Sequence, residues 1–292
     1  MNNYLKDFPF DHSIDLINSR LYALTEKSKK EYKSKYLKQI NTFLDLTSLN
    51  VDDTELRINQ MVTNVNNFKS KYPKLGNVAA VCVYPNFVST VKKYLTSDVK
   101  IAAVAAGFPH SQTFIDIKLN EVERAIQEGA DEIDIVLPVG LFLSEKYNIV
   151  GKELEMIREV SKDVTLKTIL ETGIYQYDSD IYNASILAMQ CGADFIKTST
   201  GKVQPAATPR AALIMCLAIK DFYKQTGKMV GLKPAGGISD GATALIYYII
   251  VKEILGEEWL QPSLFRIGAS QLANNILKEI IAEEGGVYEK YW

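Results

Sequence analysis

Histidine and cysteine are scarce in this chain of 292 residues, which has two histidines and three cysteines. The cysteines, Cys82, Cys191 and Cys216, are odd in number, lie far apart and form no C-x-x-C pair. This pattern indicates neither a disulfide framework nor a zinc site, and it favours a reducing, cytoplasmic location. A histidine-based metal site or a Ser-His-Asp triad would have to use His12 or His110, and we expect His110 to be structural.

Long hydrophobic runs and a strong charge of one sign are also missing. The net charge is −2, so the composition gives no electrostatic reason to expect nucleic-acid binding. The longest apolar runs have the length of a strand, far below the roughly 20 residues that cross a membrane. The N-terminal sequence MNNYLKDFPFDHSIDLINSR lacks the apolar region of a signal peptide. The expected partners therefore include neither nucleic acid nor a membrane.

What the sequence does contain is a regular alternation of short apolar segments with longer amphipathic ones. There are eight such apolar segments: 43–49, 78–84, 101–107, 132–138, 165–171, 194–200, 229–236 and 264–270. Eight strand–helix units in about 240 residues predict an α/β protein built as a closed (β/α)8 barrel, or TIM barrel. A doubly wound sheet is the main alternative, and the absence of G-x-G-x-x-G after the first strand argues against it.

This alternation divides the chain into three predicted parts. Residues 1–42 form a predicted N-terminal helical extension, residues 43–284 the barrel, and residues 285–292 a C-terminal tail. The stretch 26–40 carries many lysines at helical spacing, which is typical of a solvated helix face; binding to a partner is the alternative. The polar and aromatic tail is expected either to be loose or to fold back over a face of the barrel.

One predicted helix, at 208–227, has clear signals at both ends. Thr208 is a predicted N-cap, Pro209 suits the first helical position, and Gly227 is a predicted C-terminal stop.

Polar side chains interrupt five of the eight predicted strands. They occupy alternate positions, which point to one face of a strand and, in a barrel, into the lumen. They are Asp45, Thr47, Glu132, Asp134, Lys167, Glu171, Lys197, Ser199 and Lys233. Strands two, three and eight are interpreted as nearly apolar. Burial of ionisable groups in a lumen reduces the stability of the fold, so their presence favours a catalytic role. A purely structural network of salt bridges is the alternative.

Two of these lysines, Lys197 and Lys233, are predicted on adjacent strands, whose backbones lie about 4.8 Å apart. Two partly desolvated ammonium groups at that spacing cannot both stay charged, so one pKa must fall. A lysine with a pKa of about 7–8 is a nucleophile or a base at neutral pH. The pattern therefore predicts that Lys197 attacks a carbonyl as a neutral amine.

Glycine-containing turns follow the last two predicted strands, where barrels of this type commonly bind phosphate through backbone N–H groups and a helix N-terminus. Gly236 and Gly237 follow strand seven, and Ser270 ends strand eight at the start of a helical pattern. Lys202, just after Gly201, is placed to reach the same anion. The substrate is therefore expected to carry a phosphate group.

The segments DFIKTSTGK and GLKPAGGI, together with EIDIV and FRIGAS, resemble the deoxyribose-phosphate aldolase family. The resemblance runs over about residues 43–280, and the combination of KTSTGK with KPAGG is very specific. It implies a class I aldolase that uses a lysine Schiff base and neither a metal nor a cofactor. It assigns Lys197 as the Schiff-base lysine, Lys233 as the second lysine, and Asp134 as the carboxylate that relays protons.

The resemblance also implies substrate contacts. Asp45 and Thr47 match positions near the substrate hydroxyls, and Lys167 has a supporting role at most. The remaining predicted substrate contacts, at the phosphate end, are Thr200, Gly201, Lys202, Gly236, Gly237 and Ser270.

Two departures from the family pattern limit what is carried over. Gln271 stands where many relatives have a small hydroxyl residue, so a backbone contact there survives and a side-chain contact does not. The chain ends in YEKYW instead of a single terminal tyrosine, which leaves an active-site role for Tyr288 or Tyr291 open.

The implied reaction is the reversible cleavage of 2-deoxy-D-ribose 5-phosphate into D-glyceraldehyde 3-phosphate and acetaldehyde, in deoxyribonucleoside catabolism. The expected partner is this sugar phosphate, and a homodimer stays open. One alternative is another Schiff-base lyase on the same barrel, acting on a different sugar phosphate or on a keto acid. The other is a catalytically silent scaffold, against which the intact set Lys197, Lys233 and Asp134 argues.

Overall fold

The computed structural model describes residues 4–285, 287–288 and 290 of the chain. Within those residues, eight parallel strands alternate with helices. The strands are β1 (Leu44–Thr47), β2 (Ala80–Val83), β3 (Lys100–Val104), β4 (Glu132–Val136), β5 (Thr165–Ile169), β6 (Phe195–Lys197), β7 (Gly231–Lys233) and β8 (Ile267–Ala269). Each strand lies within one of the predicted apolar segments, except that β3 begins one residue before its segment, because a parallel strand buried on both faces needs a short apolar run.

Eleven helices lie among the same described residues. They are α1 (Ile14–Lys30), α2 (Ser34–Asn41), α3 (Glu55–Lys71), α4 (Val88–Tyr94), α5 (Ile115–Gln127), α6 (Val139–Leu143), α7 (Tyr147–Val160), α8 (Asp178–Gln190), α9 (Pro209–Thr226), α10 (Gly241–Ile254) and α11 (Gln271–Glu284). No helix in this part of the chain is both long and apolar enough to cross a membrane.

Helix α9 has the predicted boundaries. The Thr208 hydroxyl accepts a hydrogen bond from the backbone N–H of Ala211 at 3.1 Å, and Pro209 is the first helical residue. Gly227 ends the helix with φ 71°, a left-handed conformation that favours glycine.

The strands are arranged as a closed barrel. They pair in sequence order from β1 to β7, and β8 pairs with β1. Parallel bridges between Leu232 and Phe265 and between Ala235 and Gly268 join β7 to β8 and complete the circle. The predicted (β/α)8 barrel is confirmed, and its register places Lys197 opposite Lys233.

The described residues that precede the barrel contain two helices, α1 and α2. Their buried apolar side chains, such as Ile17 on α1 and Leu37 on α2, face the barrel, where α1 contacts α9 and α10 and α2 contacts α10 and α11. The lysine-rich stretch 26–40 is not one continuous helix, because α1 ends at Lys30 and α2 begins at Ser34. The boundaries that separate extension, barrel and tail stay predictions.

One wall of the lumen is lined by small apolar side chains. Ala80 and Cys82 on β2 and Ala102 and Val104 on β3 form a buried cluster of their own. Small side chains on this wall leave space for the long side chains that enter from β4 to β7. Strands two and three are apolar as predicted, but the interpretation of strand eight was wrong, because Arg266 enters the lumen directly before β8.

Candidate active site

Among the described residues, seven charged side chains meet in the barrel lumen, and each is at most 5% exposed. Four are cations and three are carboxylates: Lys167, Lys197, Lys233, Arg266, Asp45, Glu132 and Asp134. Alternating strand positions bring them to one face, as the sequence predicted for all except Arg266. Charged groups so deeply buried are stable only when they are paired, so their partners determine the chemistry of the site.

Asp134 binds three of the four cations of this cluster, namely the three lysines. Its Oδ2 atom accepts hydrogen bonds from Lys197 Nζ at 2.8 Å and from Lys233 Nζ at 2.7 Å, while its Oδ1 accepts one from Lys167 Nζ at 2.9 Å. Burial acts to raise the pKa of this carboxyl, but the three lysines outweigh burial and hold the pKa well below its usual range. Asp134 is therefore a permanent carboxylate around which the three amines are arranged.

The two lysines that share Asp134 Oδ2 differ in their protonation. Burial lowers the pKa of Lys197, and the charge of Lys233 lowers it further against the opposing effect of Asp134. Burial also acts to lower the pKa of Lys233, but Asp134 and Asp45 outweigh burial and raise it. The lowered pKa of Lys197 agrees with the prediction, but its main cause is burial, and the charge of Lys233 contributes less.

Arg266 was missed by the sequence analysis. Its Nη2 donates to Glu132 Oε1 at 2.7 Å, and its Nη1 donates to Asp45 Oδ1 at 2.6 Å. A Cβ added to Gly268 would lie 3.5 Å from Lys233 Cε, so position 268 faces the lumen. Positions two apart in a strand share a face, so Arg266 faces the lumen like Gly268. This alternation was the sequence signal that could have identified Arg266 as a lumen residue.

Two predicted substrate contacts lie beneath the cavity instead of lining it. Asp45 is fully buried, with its Oδ2 at 2.5 Å from Lys233 Nζ and 3.5 Å from Lys167 Nζ. Lys167 is also fully buried and donates to Glu132 Oε2 at 2.6 Å. The structure thus places both residues in the layer of charges that supports Asp134 and Lys233.

A cavity of about 220 Å³ opens at the C-terminal ends of the strands. Eight of the predicted site residues line it: Thr47, Lys197, Thr200, Gly201, Lys202, Gly236, Gly237 and Ser270. Of the seven charged lumen residues, Lys197 is the one that also lines this cavity. Leu49, Asn50 and Ile238 line it as well and were not predicted, because neither apolar side chains nor a single loop asparagine indicate a binding site in the sequence.

The end of the cavity for which the sequence predicts phosphate binding is built from two glycine loops in close contact. Gly201 and Gly236 have φ values of 81° and 87°, and a Cβ on Gly236 would lie 3.0 Å from Gly201 Cα and 2.7 Å from Ala206 Cβ. A side chain at position 236 would therefore push the two loops apart. The first residue of α11 follows Ser270, so a helix N-terminus also meets this end of the cavity.

The loop after β6 is fixed by a buried carboxylate. Glu171 accepts hydrogen bonds from the Thr200 backbone N–H at 3.1 Å and from the Thr200 hydroxyl at 2.6 Å. The Thr200 hydroxyl in turn accepts one from the Lys202 backbone N–H at 3.0 Å. The Lys202 amine donates to the Leu49 carbonyl oxygen across the cavity mouth.

The tail does not contribute a described residue to this cavity. Tyr288 packs, half-buried, against the hydrophobic core. Gln271 and Lys290 line a separate groove beside Asn50. Tyr291 lies outside the described residues.

Three comparisons with known proteins bear on this geometry. The family model described as DeoC/LacD family aldolase matches residues 40–249. The chain is 40% identical over 279 residues to human deoxyribose-phosphate aldolase, covering 90% of this chain and 86% of that one. It is 42% identical over 257 residues to a putative deoxyribose-phosphate aldolase of Caenorhabditis elegans, with 87% and 84% covered. A crystal structure of a putative deoxyribose-phosphate aldolase from Coccidioides immitis superposes with a TM-score of 0.72 at 25% identity, covering 90% of this chain and 97% of that one.

Proposed function

The chain belongs to the DeoC/LacD family of aldolases, and from that premise we propose that it cleaves 2-deoxy-D-ribose 5-phosphate reversibly into D-glyceraldehyde 3-phosphate and acetaldehyde. The observation that carries the proposal is the position of Lys197. Its amine lies at the floor of the cavity, hydrogen-bonded to Asp134, in surroundings that lower its pKa. A neutral amine facing a cavity that is also lined by glycine loops and Lys202, groups that can bind an anion, suits an aldehyde that carries a phosphate.

The first half of the reaction forms the imine. The Lys197 amine attacks C1 of the open-chain sugar, and the carbinolamine loses water to give a protonated Schiff base. A base then takes the proton of the C3 hydroxyl, the C2–C3 bond breaks, and its electron pair moves into the C1–C2 bond of an enamine. D-Glyceraldehyde 3-phosphate leaves, because the imine nitrogen has accepted the electrons.

The second half returns a proton to C2. Lys233 keeps its proton because its pKa is raised, whereas Asp134 stays ionised because its pKa is held low. Lys233 is therefore the proposed proton source and delivers the proton through a water molecule, while the ionised Asp134 orients Lys233 by accepting its hydrogen bond. Water then hydrolyses the acetaldehyde imine and regenerates Lys197. The proposed mechanism uses neither a metal nor a cofactor.

The phosphate group is proposed to bind between the Gly201 and Gly236 loops. Backbone N–H groups at Gly236 and Gly237 and the N-terminus of α11 supply hydrogen-bond donors there, and Lys202 supplies a positive charge. Binding at a point remote from the C2–C3 bond orients the sugar for the reaction at Lys197. Thr47, which lines the same cavity, is the proposed partner of a substrate hydroxyl.

Covalent trapping tests the proposal. The protein is treated with acetaldehyde and borohydride, and its peptides are mapped. We expect a reduced two-carbon adduct on Lys197, in the peptide that contains FIKTSTGK, and release of acetaldehyde from deoxyribose 5-phosphate in a parallel assay. An adduct confined to Lys167, Lys202 or surface lysines would reject the assignment of Lys197. Turnover of other sugar phosphates or keto acids in place of deoxyribose 5-phosphate would reject the substrate.

The compartment and the oligomeric state complete the proposal. We propose a cytoplasmic homodimer, supported by three free cysteines and by exposed apolar side chains on neighbouring helices, namely Ile117 on α5, Leu143 on α6, and Ile149 and Met156 on α7. Light scattering on the purified protein measures the mass of the assembly. A mass of one chain rejects the dimer, and recovery in a membrane or organelle fraction rejects the compartment.

A further inference from the structure

The charges of the lumen do not balance, since four cations face three carboxylates. Within the described residues, Lys167 contacts all three carboxylates, while Lys233 contacts Asp45 and Asp134. Arg266 contacts Asp45 and Glu132, while Lys197 contacts Asp134 alone. Lys197 also shares the Oδ2 atom of that carboxylate with Lys233. The surplus charge therefore falls on Lys197.

Arg266 determines how the other charges pair. Its guanidinium forms two hydrogen bonds to Glu132, at 2.7 and 3.2 Å, and a third to Asp45 at 2.6 Å, while its Nε donates to the Pro262 carbonyl oxygen. A planar fork of this kind is well matched to a carboxylate. Burial acts to lower the pKa of Arg266, but Asp45 and Glu132 outweigh burial and raise it, so this cation is permanent.

Arg266 shares its two carboxylates with the two structural lysines. Lys167 contacts Glu132 and Lys233 contacts Asp45, and each lysine also donates to Asp134, at 2.9 and 2.7 Å. Asp134 then has three donors for its two oxygens, and Lys197 is the donor with no second carboxylate in the part of the chain that the structure describes.

We propose that Arg266 is a positioning residue of the aldolase site: by occupying Glu132 and Asp45 at the floor of the lumen, it keeps Lys167 and Lys233 on Asp134 and leaves Lys197 as the amine that gives up its proton. This inference rests on the proposed function, because it concerns the nucleophile of that reaction. Arg266 acts through other residues, since it does not line the active-site cavity.

Charged and titratable groups face Lys197 from every strand that supplies one to the lumen. They are Asp134 and Glu132 on β4, Lys167 on β5, Lys233 on β7, Cys82 on β2, Asp45 on β1 and Arg266 before β8. Burial raises the pKa of the Cys82 thiol, so this group stays neutral and does not enter the balance of charge. The count therefore rests on the four cations and three carboxylates alone.

Removal of Arg266 would let the remaining charges pair one to one. Lys167 already lies 2.6 Å from Glu132, Lys233 lies 2.5 Å from Asp45, and Lys197 lies 2.8 Å from Asp134. With three cations and three carboxylates, Lys197 gains a carboxylate of its own. An opposite charge that is not shared favours the protonated amine, so Lys197 would lose its proton at a higher pH.

The experiment uses the full chain and measures the pH dependence of the borohydride-trapped acetaldehyde imine. We expect Arg266→Met to move the midpoint of imine formation to higher pH by about one unit, which is about tenfold less imine at a pH below the midpoint. Arg266→Lys keeps the charge and should leave the midpoint within a few tenths of a unit of the wild type, by the same scale.

Glu132→Gln provides a test with the opposite sign. It leaves four cations and two carboxylates, so the midpoint should move to lower pH. The double variant Arg266→Met/Glu132→Gln has three cations and two carboxylates, which restores the single surplus charge of the wild type, and its midpoint should return toward the wild-type value. Replacement of a whole buried ion pair by neutral side chains is often tolerated by a fold, so the double variant can be measured even if either single variant fails to fold.

Each outcome decides the inference. A folded Arg266→Met protein with an unchanged or lower midpoint overturns it, and so does a Glu132→Gln protein with an unchanged or higher one. If the midpoint of the double variant lies further from the wild-type midpoint than that of Arg266→Met does, Arg266 has only a structural role. If the wild type itself forms no imine on Lys197, the proposed function fails instead, and the two failures are thereby distinguished.

Discussion

Lys197 and Lys233 are register partners on adjacent strands, and their amines donate hydrogen bonds to the same oxygen atom, Oδ2 of Asp134, at 2.8 and 2.7 Å. The carboxylate is divided between them, but Lys233 has a second carboxylate, Asp45, 2.5 Å away. In the described part of the chain Lys197 has none. This asymmetry separates the two amines into a nucleophile that loses its proton and an acid that keeps it.

Replacement of Lys233 by leucine should move imine formation to higher pH and slow turnover. Lys197 would lose a cationic neighbour and gain the undivided Oδ2 of Asp134, and both changes favour its protonated form. Loss of a group that transfers protons should reduce kcat by a factor on the order of 10² to 10⁴. The trapped imine is measured as a function of pH, with Lys228→Leu, an exposed lysine, as the control.

A Lys233→Leu profile that stays in place or moves to lower pH would reject the coupling between the two lysines. Burial alone would then account for the lowered pKa of Lys197. The Lys228→Leu control should match the wild type in both pH profile and kcat.

Asp134→Asn should shift the same profile in the opposite direction. Without its carboxylate partner, Lys197 loses the interaction that raises its pKa, so the imine should form at lower pH although turnover falls. The fold should also suffer, because four cations would face two carboxylates. Removal of one partner from a buried ion pair lowers the free energy of unfolding by about 3–5 kcal/mol, which urea denaturation measures. An unchanged urea midpoint would contradict the conclusion that Asp134 stabilises the fold by pairing with the three lysines.

Lys202→Ala should weaken the reaction of the phosphorylated sugar selectively. A hydrogen bond to a charged group contributes about 1.5–3 kcal/mol, so kcat/KM for deoxyribose 5-phosphate should fall about 10- to 150-fold. Activity on unphosphorylated deoxyribose should fall less, because loss of the hydrogen bond from Lys202 to the Leu49 carbonyl oxygen affects both sugars, whereas only the phosphorylated sugar loses a phosphate contact. Steady-state kinetics with both sugars check this, and Lys228→Ala is the matched control. Equal losses with the two sugars would show that Lys202 does not bind the phosphate.

The fold was predictable because its signals are local. Each barrel strand is a short apolar run, and the ends of α9 are fixed by Thr208 and Gly227, whose roles follow from backbone geometry. The meeting of Lys197, Lys233 and Asp134 was also predictable, since alternation along parallel neighbouring strands brings such side chains to one face.

The depth of each residue in the lumen was not predictable. Alternation gives the face of a strand, whereas the height along the barrel axis depends on how far each strand is displaced relative to its neighbours. The family resemblance led us to expect Asp45 near the substrate hydroxyls, whereas in the structure it lies under the cavity against Lys233. Arg266 escaped notice because a single cation at the start of an apolar segment is more often exposed than buried.

The lysines of the lumen should respond in opposite ways to removal of their charge. Lys197 is the surplus cation, so Lys197→Met leaves three cations and three carboxylates, and we expect the free energy of unfolding to rise by about 0.5–2 kcal/mol, the usual range of a stabilising substitution. Lys167→Met is the matched comparison, since the same residue change removes a cation bound to Glu132 and Asp134 at 2.6 and 2.9 Å. Stranding these carboxylates should lower the free energy of unfolding by about 3–5 kcal/mol. Urea denaturation at neutral pH measures both, and trapping should find no imine on residue 197 of the first variant. If Lys197→Met is destabilised as much as Lys167→Met, Lys197 is held as firmly as a structural ion-pair partner, and the surplus of positive charge does not reside on it.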